Sequence, residues 1–204
     1  AGGLPLQVPD DVKNNKELLR YYKSWQPVFP VNSKRLYSNA SIGLFGYISA
    51  LSMDADYTQL MEDKILPSLI NVPSDKMADY AFGYNAAGDA IRVNPGMLDA
   101  EAYGIKSTIK DMTHFMAANM GLVPLDKDIQ QALDNNRKGY YQASTFTQGL
   151  GWEMYPYPTQ LNTLLKGNSM DVVLKPQAIK IDNHPTPILN NVWVNKTGAT
   201  NGFG

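Results

Sequence analysis

The sequence predicts a mixed α/β (α+β) chain, mostly helical over residues 1–79 and mixed over 80–204. Three observations carry this. Up to about residue 66, apolar residues recur at helical spacing and prolines punctuate the runs. From Tyr80 there is a hairpin signature, in which Tyr80-Ala81-Phe82-Gly83-Tyr84 and Ala90-Ile91-Arg92-Val93 flank the turn-forming Asn85-Ala86-Ala87-Gly88-Asp89. Later, β-prone runs occur at 145–157, 171–174 and 188–194. The boundary between the two parts falls near Asp79.

The elements follow in order. Residues 1–9 are extended, because each proline disfavours helix in the residue before it. Asp10 and Asp11 offer an N-cap and first-turn negative charge to a helix that carries Leu18, Leu19, Tyr22 and Trp25 on one face. Pro27 and Pro30 end it, and a loop runs to Lys34. The stretch from Ala40 to Leu51 is apolar nearly all round with small residues interspersed, which predicts a buried helix that neighbours approach closely. A further helix from Tyr57 to about Leu66 turns Leu60, Met61 and Ile65 inward; residues 67–72 connect, and Ser74 caps a short turn. Pro95 to Gly104 is a loop. Ser107 or Thr108 caps a helix with Ile109, Met112, Phe115, Met116 and Met120 on its inner side, where the methionines serve as packing. A short helix occupies Lys127 to about Asn135. Strands are expected at Thr145–Tyr157, Asp171–Leu174 and Ile188–Val194, before a glycine-rich tail.

Composition narrows the chemistry. Hydrophobic residues make up 44% and charged residues 18% of the 204, and the net charge is −1. This is a globular balance with no polyelectrolyte partner, and nucleic acid is excluded for want of a basic stripe. No stretch reaches the length of a membrane span, and no signal peptide stands at Ala1. There is no cysteine, so disulfides, thiol catalysis and cysteine–zinc sites are excluded. The two histidines, His114 and His184, lie in separate segments and read as packing or surface residues, so no metal site is expected. Nucleophile chemistry would therefore need Tyr or Lys as its base.

Two short segments carry candidate chemistry. Lys196-Thr197-Gly198 follows the last β-prone run: a cation, a hydroxyl and open main chain at a strand end suit an extended ligand bearing a carboxylate. Gly198 removes a side chain where a ligand must approach the backbone. Tyr37-Ser38-Asn39 precedes the apolar helix and offers a proton carrier and an amide two residues apart.

Arg35-Leu36-Tyr37-Ser38-Asn39-Ala40-Ser41-Ile42-Gly43-Leu44-Phe45-Gly46 resembles the Tyr-x-Asn segment of class C serine β-lactamases, and Lys196 to Gly204 resembles their Lys-Thr-Gly segment. Leu4 to Asp10, Leu98 to Gly104 and Gln148-Gly149-Leu150-Gly151-Trp152-Glu153 also match, so the resemblance runs nearly end to end in five collinear segments. It implies the serine β-lactamase and penicillin-binding fold: a helical domain plus part of an antiparallel-sheet α/β domain, incomplete in this chain. It further implies a periplasmic, monomeric cephalosporinase acting on small-molecule β-lactams through a serine acyl-enzyme, with no cofactor. By the same resemblance Tyr37 is the proton shuttle, its phenol (ordinarily titrating near ~10) tuned by nearby cations. Lys196 is one such cation, and with Thr197 it receives the substrate carboxylate. Asn39 and Gln7 bond the acylamino side chain, the Ala199 N–H forms half of the oxyanion hole, and Tyr103 lines the pocket.

The nucleophile is missing from this picture. The family's Ser-x-x-Lys precedes its Tyr-x-Asn, and nothing before Tyr37 fits. Ser107-Thr108-Ile109-Lys110 is a literal match in the wrong order, and a helix cap accounts for it. The resemblance implies a chain that continues beyond Gly204 into a strand and a terminal helix. A D-Ala-D-Ala peptidase or esterase of the same fold is the neighbouring reading; a β-lactam-binding remnant without turnover is the other.

Overall fold

The computed structural model describes residues 2–64, 76–93, 95–181, 185–200 and 202–203. Ile65, the 67–72 connector, Ser74 and His184 lie outside them. In chain order the elements are α1 (Asn15–Ser24), β1 (Lys34–Arg35), α2 (Asn39–Ser52), α3 (Tyr57–Lys64), β2 (Gly83–Tyr84), β3 (Ala90–Ile91), α4 (Asp99–Ala102), α5 (Ile109–Asn119), α6 (Lys127–Asn136), β4 (Tyr141–Ala143), β5 (Phe146–Gln148), β6 (Glu153–Pro156), α7 (Leu161–Gly167), α8 (Met170–Leu174), β7 (Gln177–Lys180) and β8 (Val192–Asn195). They form two compact units. One comprises Ala1–Gly3, Pro27–Tyr37 and Ile109–Thr197; the other comprises Leu4–Gln26, Ser38–Thr108 and Gly198–Gly204. The units interleave along the chain, whereas composition places a single boundary near Asp79. Composition does not record that Lys34 and Arg35 pair with Ala178 and Gln177, which draws an early segment into the later sheet.

The first unit is built on an antiparallel sheet of order β1-β7-β4-β5-β6-β8. Its core packs Ala143, Phe146 and Tyr155 of the sheet against Val172 of α8, with Leu164 of α7 and Ile179 of β7 alongside. The Phe146 and Tyr155 rings stand 5.9 Å apart, a spacing at which aromatic pairs attract. The expected strand 145–157 is two strands. Gly151 adopts φ 94° and the Gly149 N–H donates to the Trp152 carbonyl at 2.8 Å, closing a hairpin turn in mid-run. Residues 171–174 form helix α8, not a strand: the Ser169 carbonyl accepts from Val172 N–H, and burial of Val172 in the core overrides the β-propensity of the two valines. The last strand starts at Val192 because Asn191 turns the chain at φ 53°.

The second unit packs Val12, Leu18 and Leu98 with Leu44, Tyr47, Tyr21 and Tyr22. Helix α1 starts from Asn14, which caps the Glu17 N–H at 3.1 Å while Glu17 reaches back to Lys13 N–H at 2.7 Å. This reciprocal cap, and not Asp10 or Asp11, is the true start, and Asn-x-x-Glu is its sequence signal. Residues 99–102, expected as loop, form the short helix α4.

Helix α2 corrects the expectation of all-round burial. Its small residues Ala40, Gly43, Gly46 and Ala50 are buried, and α4 rests in the notch they make: a Cβ at Gly43 would lie 2.7 Å from Leu98 Cβ. On its other side Ile42, Phe45, Ile48 and Leu51 are 50–69% exposed. Helix α5 repeats the pattern, with Ala118 and Asn119 buried while Ile109, Met112, Met116 and Met120 are exposed. The methionines expected inward lie on the open side. The hairpin β2–β3 forms as expected, with Gly83 opposite Ile91, and the Tyr84 N–H donates to the Gly202 carbonyl of the tail at 3.1 Å.

Candidate active site

Tyr37 and Lys196, 159 positions apart by subtraction of their numbers, meet in the first unit: the Lys196 Nζ stands 4.9 Å from the centre of the Tyr37 ring, within cation–π range. Tyr37 follows edge strand β1, and Lys196 is the first residue past β8. Sheet pairing makes the meeting possible. β8 pairs with β6 so that Asn195 faces Glu153, and β6 pairs with β5 so that Glu153 faces Gln148.

Beneath the pair is a buried polar group. Arg35 Nη2 donates to Glu153 Oε1 at 2.7 Å, with side chains 9% and 3% exposed. Arg35 Nε donates to Gln148 Oε1 at 2.9 Å, and Gln148 Nε2 donates onward to the Trp152 carbonyl at 2.9 Å. The guanidinium also lies 5.2 Å from the Phe146 ring centre. Lys196 Nζ lies 3.8 Å from the same Glu153 Oε1 with its side chain 32% exposed, and donates to the Thr197 carbonyl at 2.6 Å.

Burial raises the Tyr37 phenol above its ordinary value; the Glu153 carboxylate raises it further and Arg35 opposes both. The lysine covers the face of the ring. Burial lowers the Lys196 ammonium, with Glu153 supporting the charge and Arg35 opposing it.

The remaining candidates, Thr197 apart, lie in the second unit. The Asn39 N–H donates to the Leu6 carbonyl at 2.8 Å, and Ser38 Oγ donates to the Pro5 carbonyl at 2.6 Å while capping Ser41 N–H. These bonds fasten the loop carrying the exposed Gln7 to the start of α2, beside Asn39. Tyr103 is half-buried at the end of α4, its hydroxyl 3.1 Å from where a Cβ on Gly96 would stand. Gly198 and Ala199 are exposed, and a Cβ on Gly198 would meet nothing within 4 Å, so its backbone is open to approach. Thr197, at the end of the first unit, is exposed too. Ser107 is exposed and precedes α5, so Ser107 and Lys110 do not share a helix.

Arg35 and Glu153 are the two residues to which the sequence reading assigned no role. The available signal was a charge set within a β-prone run, Glu153 directly before Met154-Tyr155, for which burial demands a partner.

A beta-lactamase of Psychrobacter immobilis is 69% identical over 210 residues, a match covering 100% of this chain and 52% of that protein. A crystal structure of a beta-lactamase/D-alanine carboxypeptidase from Pseudomonas syringae superposes with TM-score 0.95 at 43% identity, over 99% of this chain and 58% of that one. A class C beta lactamase from Rhodobacter sphaeroides superposes with TM-score 0.92 at 40% identity, over 100% and 59%. The fold is thus that of the β-lactamases and penicillin-binding enzymes, incomplete in these residues. The beta-lactamase family model matches residues 1–204, and the chain belongs to that family. It spans 52% to 59% of the length of the curated relatives it matches. Among the described residues no helix is long and apolar enough to cross a membrane.

Proposed function

We propose that these residues are part of a class C serine β-lactamase, a periplasmic, monomeric cephalosporinase whose nucleophilic serine lies outside them. In the reaction the serine Oγ attacks the lactam carbonyl, the ring C–N bond breaks, and the nitrogen takes a proton; water then releases the acyl group and restores the serine hydroxyl. Tyr37 carries the proton between the serine oxygen and the ring nitrogen. Lys196 and Thr197 receive the substrate carboxylate. Asn39 and Gln7 bond the acylamino side chain, Tyr103 lines the pocket, and the Ala199 N–H supplies one oxyanion donor beside the open Gly198.

One observation carries this reading: a lysine and a tyrosine far apart in sequence converge at 4.9 Å over a buried ion pair. The 204 residues by themselves are catalytically inactive and fold poorly, because the apolar faces of α2 and α5 stand open to water. A second reading, a D-Ala-D-Ala peptidase or esterase, has one specific support: the Pseudomonas syringae relative is described as both a beta-lactamase and a D-alanine carboxypeptidase.

The test is the intact mass of the natural gene product, before and after brief exposure to a slowly hydrolysed β-lactam. The expected result is a protein much heavier than this chain that gains the mass of the antibiotic. A product of this size that gains nothing refutes the proposal. Turnover of a peptide or ester ending in D-Ala-D-Ala that exceeds cephalosporin turnover moves the assignment to the second reading.

A further inference from the structure

Two cations converge on one buried carboxylate. Glu153 Oε1 accepts from Arg35 at 2.7 Å and stands 3.8 Å from Lys196 Nζ. The short bond belongs to the arginine, which is itself fixed from a second side by Gln148 at 2.9 Å and covered by Phe146. The lysine is left at the longer distance, with a third of its side chain open to solvent and its ammonium against the Tyr37 ring. We propose that Arg35 and Glu153 are positioning residues for the reaction: the carboxylate tethers the Lys196 ammonium on the Tyr37 face, and Arg35 occupies that carboxylate so that the ammonium does not close onto it and stays open to the substrate anion. The inference rests on the placing of Tyr37 and Lys196 in the active site.

The physical argument is one of competition. A carboxylate with a single buried cation nearby pulls it to full contact, near 2.7–2.9 Å. Arg35 takes that place with a rigid, multi-donor fork that Gln148 and Phe146 hold still. Counting charges, two positive groups face one negative group, so the cluster presents a surplus of one positive charge, and Lys196 is its only member that solvent reaches to this extent. Without Glu153 the lysine loses its anchor; without Arg35 it is captured. A purely structural pair would do neither. It would also be a poor device for stability, since a buried ion pair is often no better than apolar side chains of the same size.

Among the described residues, Glu153 on β6 and Arg35 on β1 act on Lys196 and the Tyr37 ring lies against it, while Tyr155 on β6 and Tyr141 on β4 act on the same Arg35 and Glu153. Glu153 supports the protonated forms of both Lys196 and Tyr37, and Arg35 opposes them. Glu153→Gln, which keeps an oxygen for Arg35 to bond, and Arg35→Gln must therefore act in opposite directions.

The experiment uses the full-length gene product, with lysines reductively methylated by 13C-formaldehyde and the Lys196 resonance assigned by its loss in Lys196→Arg. Glu153→Gln is expected to move the Lys196 titration down by about one pH unit, together with the alkaline limb of kcat/KM. Arg35→Gln is expected to move the titration up and to raise KM for carboxylate-bearing substrates severalfold, with kcat changed less. Unchanged titrations, or shifts of the same sign in both variants, overturn the proposal. The titration is read without substrate, so it stands or falls separately from β-lactam turnover. Should Glu153→Gln not fold, Arg35→Gln alone still decides by the sign of its shift.

Discussion

Replacing Arg35 by methionine removes the guanidinium while filling most of its volume, and leaves Glu153 buried at 3% exposure without its short-range partner. The buried Gln148 Oε1 loses its donor at 2.9 Å, and Phe146 loses the cation 5.2 Å from its ring centre. Removing one side of a buried ion pair costs about 3–5 kcal/mol. The orphaned amide oxygen adds about 1 kcal/mol, and movement of Lys196 toward Glu153 from 3.8 Å returns part of this. The expected loss is therefore about 3–5 kcal/mol. It would be read in the full-length protein by urea unfolding as a fall in midpoint at unchanged slope. The double variant Arg35→Met/Glu153→Met removes the uncompensated charge and should recover most of the loss, because an apolar pair of similar volume replaces the ions at little net cost. A loss below about 1 kcal/mol in the single variant, or a double variant no more stable than the single one, would show that the carboxylate is not held as argued.

Two further predictions follow from packing and titration. Gly43→Ala places a Cβ 2.7 Å from Leu98 Cβ, and Leu98 is buried at φ 64° and fixed by α4. The overpacking should cost about 1–3 kcal/mol and outweigh the roughly 1 kcal/mol that alanine gains over glycine in a helix, so a rise in Tm would contradict the fit of α2 and α4. Stability should also fall at alkaline pH. Burial pushes the Tyr155 phenol up to about 12 from 10.0, so its contribution is complete below pH 10 and is lost as the pH rises toward 12. Two pH units correspond to about 2.7 kcal/mol as an upper bound; Tyr22, also pushed up to about 12, acts in the same direction. Lys196 is lowered when folded and therefore opposes the trend below 10.5. Urea midpoints between pH 9 and 12 test this, and Tyr155→Phe should flatten the decline; an undiminished decline in that variant would assign it elsewhere.

Much of the fold was legible where local rules act alone. The helix at 127–136 follows from its own periodicity and the hairpin at 83–91 from its turn residues, and the structure has both. Strand β1 left no such trace, because two residues, Lys34 and Arg35, become a strand only through pairing with residues 177–178. The valines of α8 point to a strand for the same reason: β-propensity is a local quantity, and the burial of Val172 that settles the matter is not. Helix α2 shows the limit from another side. Its small residues announce a close approach, which α4 makes, but sequence cannot say that only one face is covered among these residues while Phe45 stands 69% exposed on the other.

The candidate site divides in the same way. The reactive groups can be read along the chain: a phenol and an amide two residues apart, a lysine before a hydroxyl and an open glycine, no cysteine, and histidines too few and too scattered for a triad. These are properties of residue type and spacing, and they carry the family resemblance. Folding alone brings Lys196 to the face of the Tyr37 ring and sets a buried Arg35–Glu153 pair under both. Burial and electrostatics depend on distances across the sheet, and those distances exist only once β5, β6 and β8 have paired.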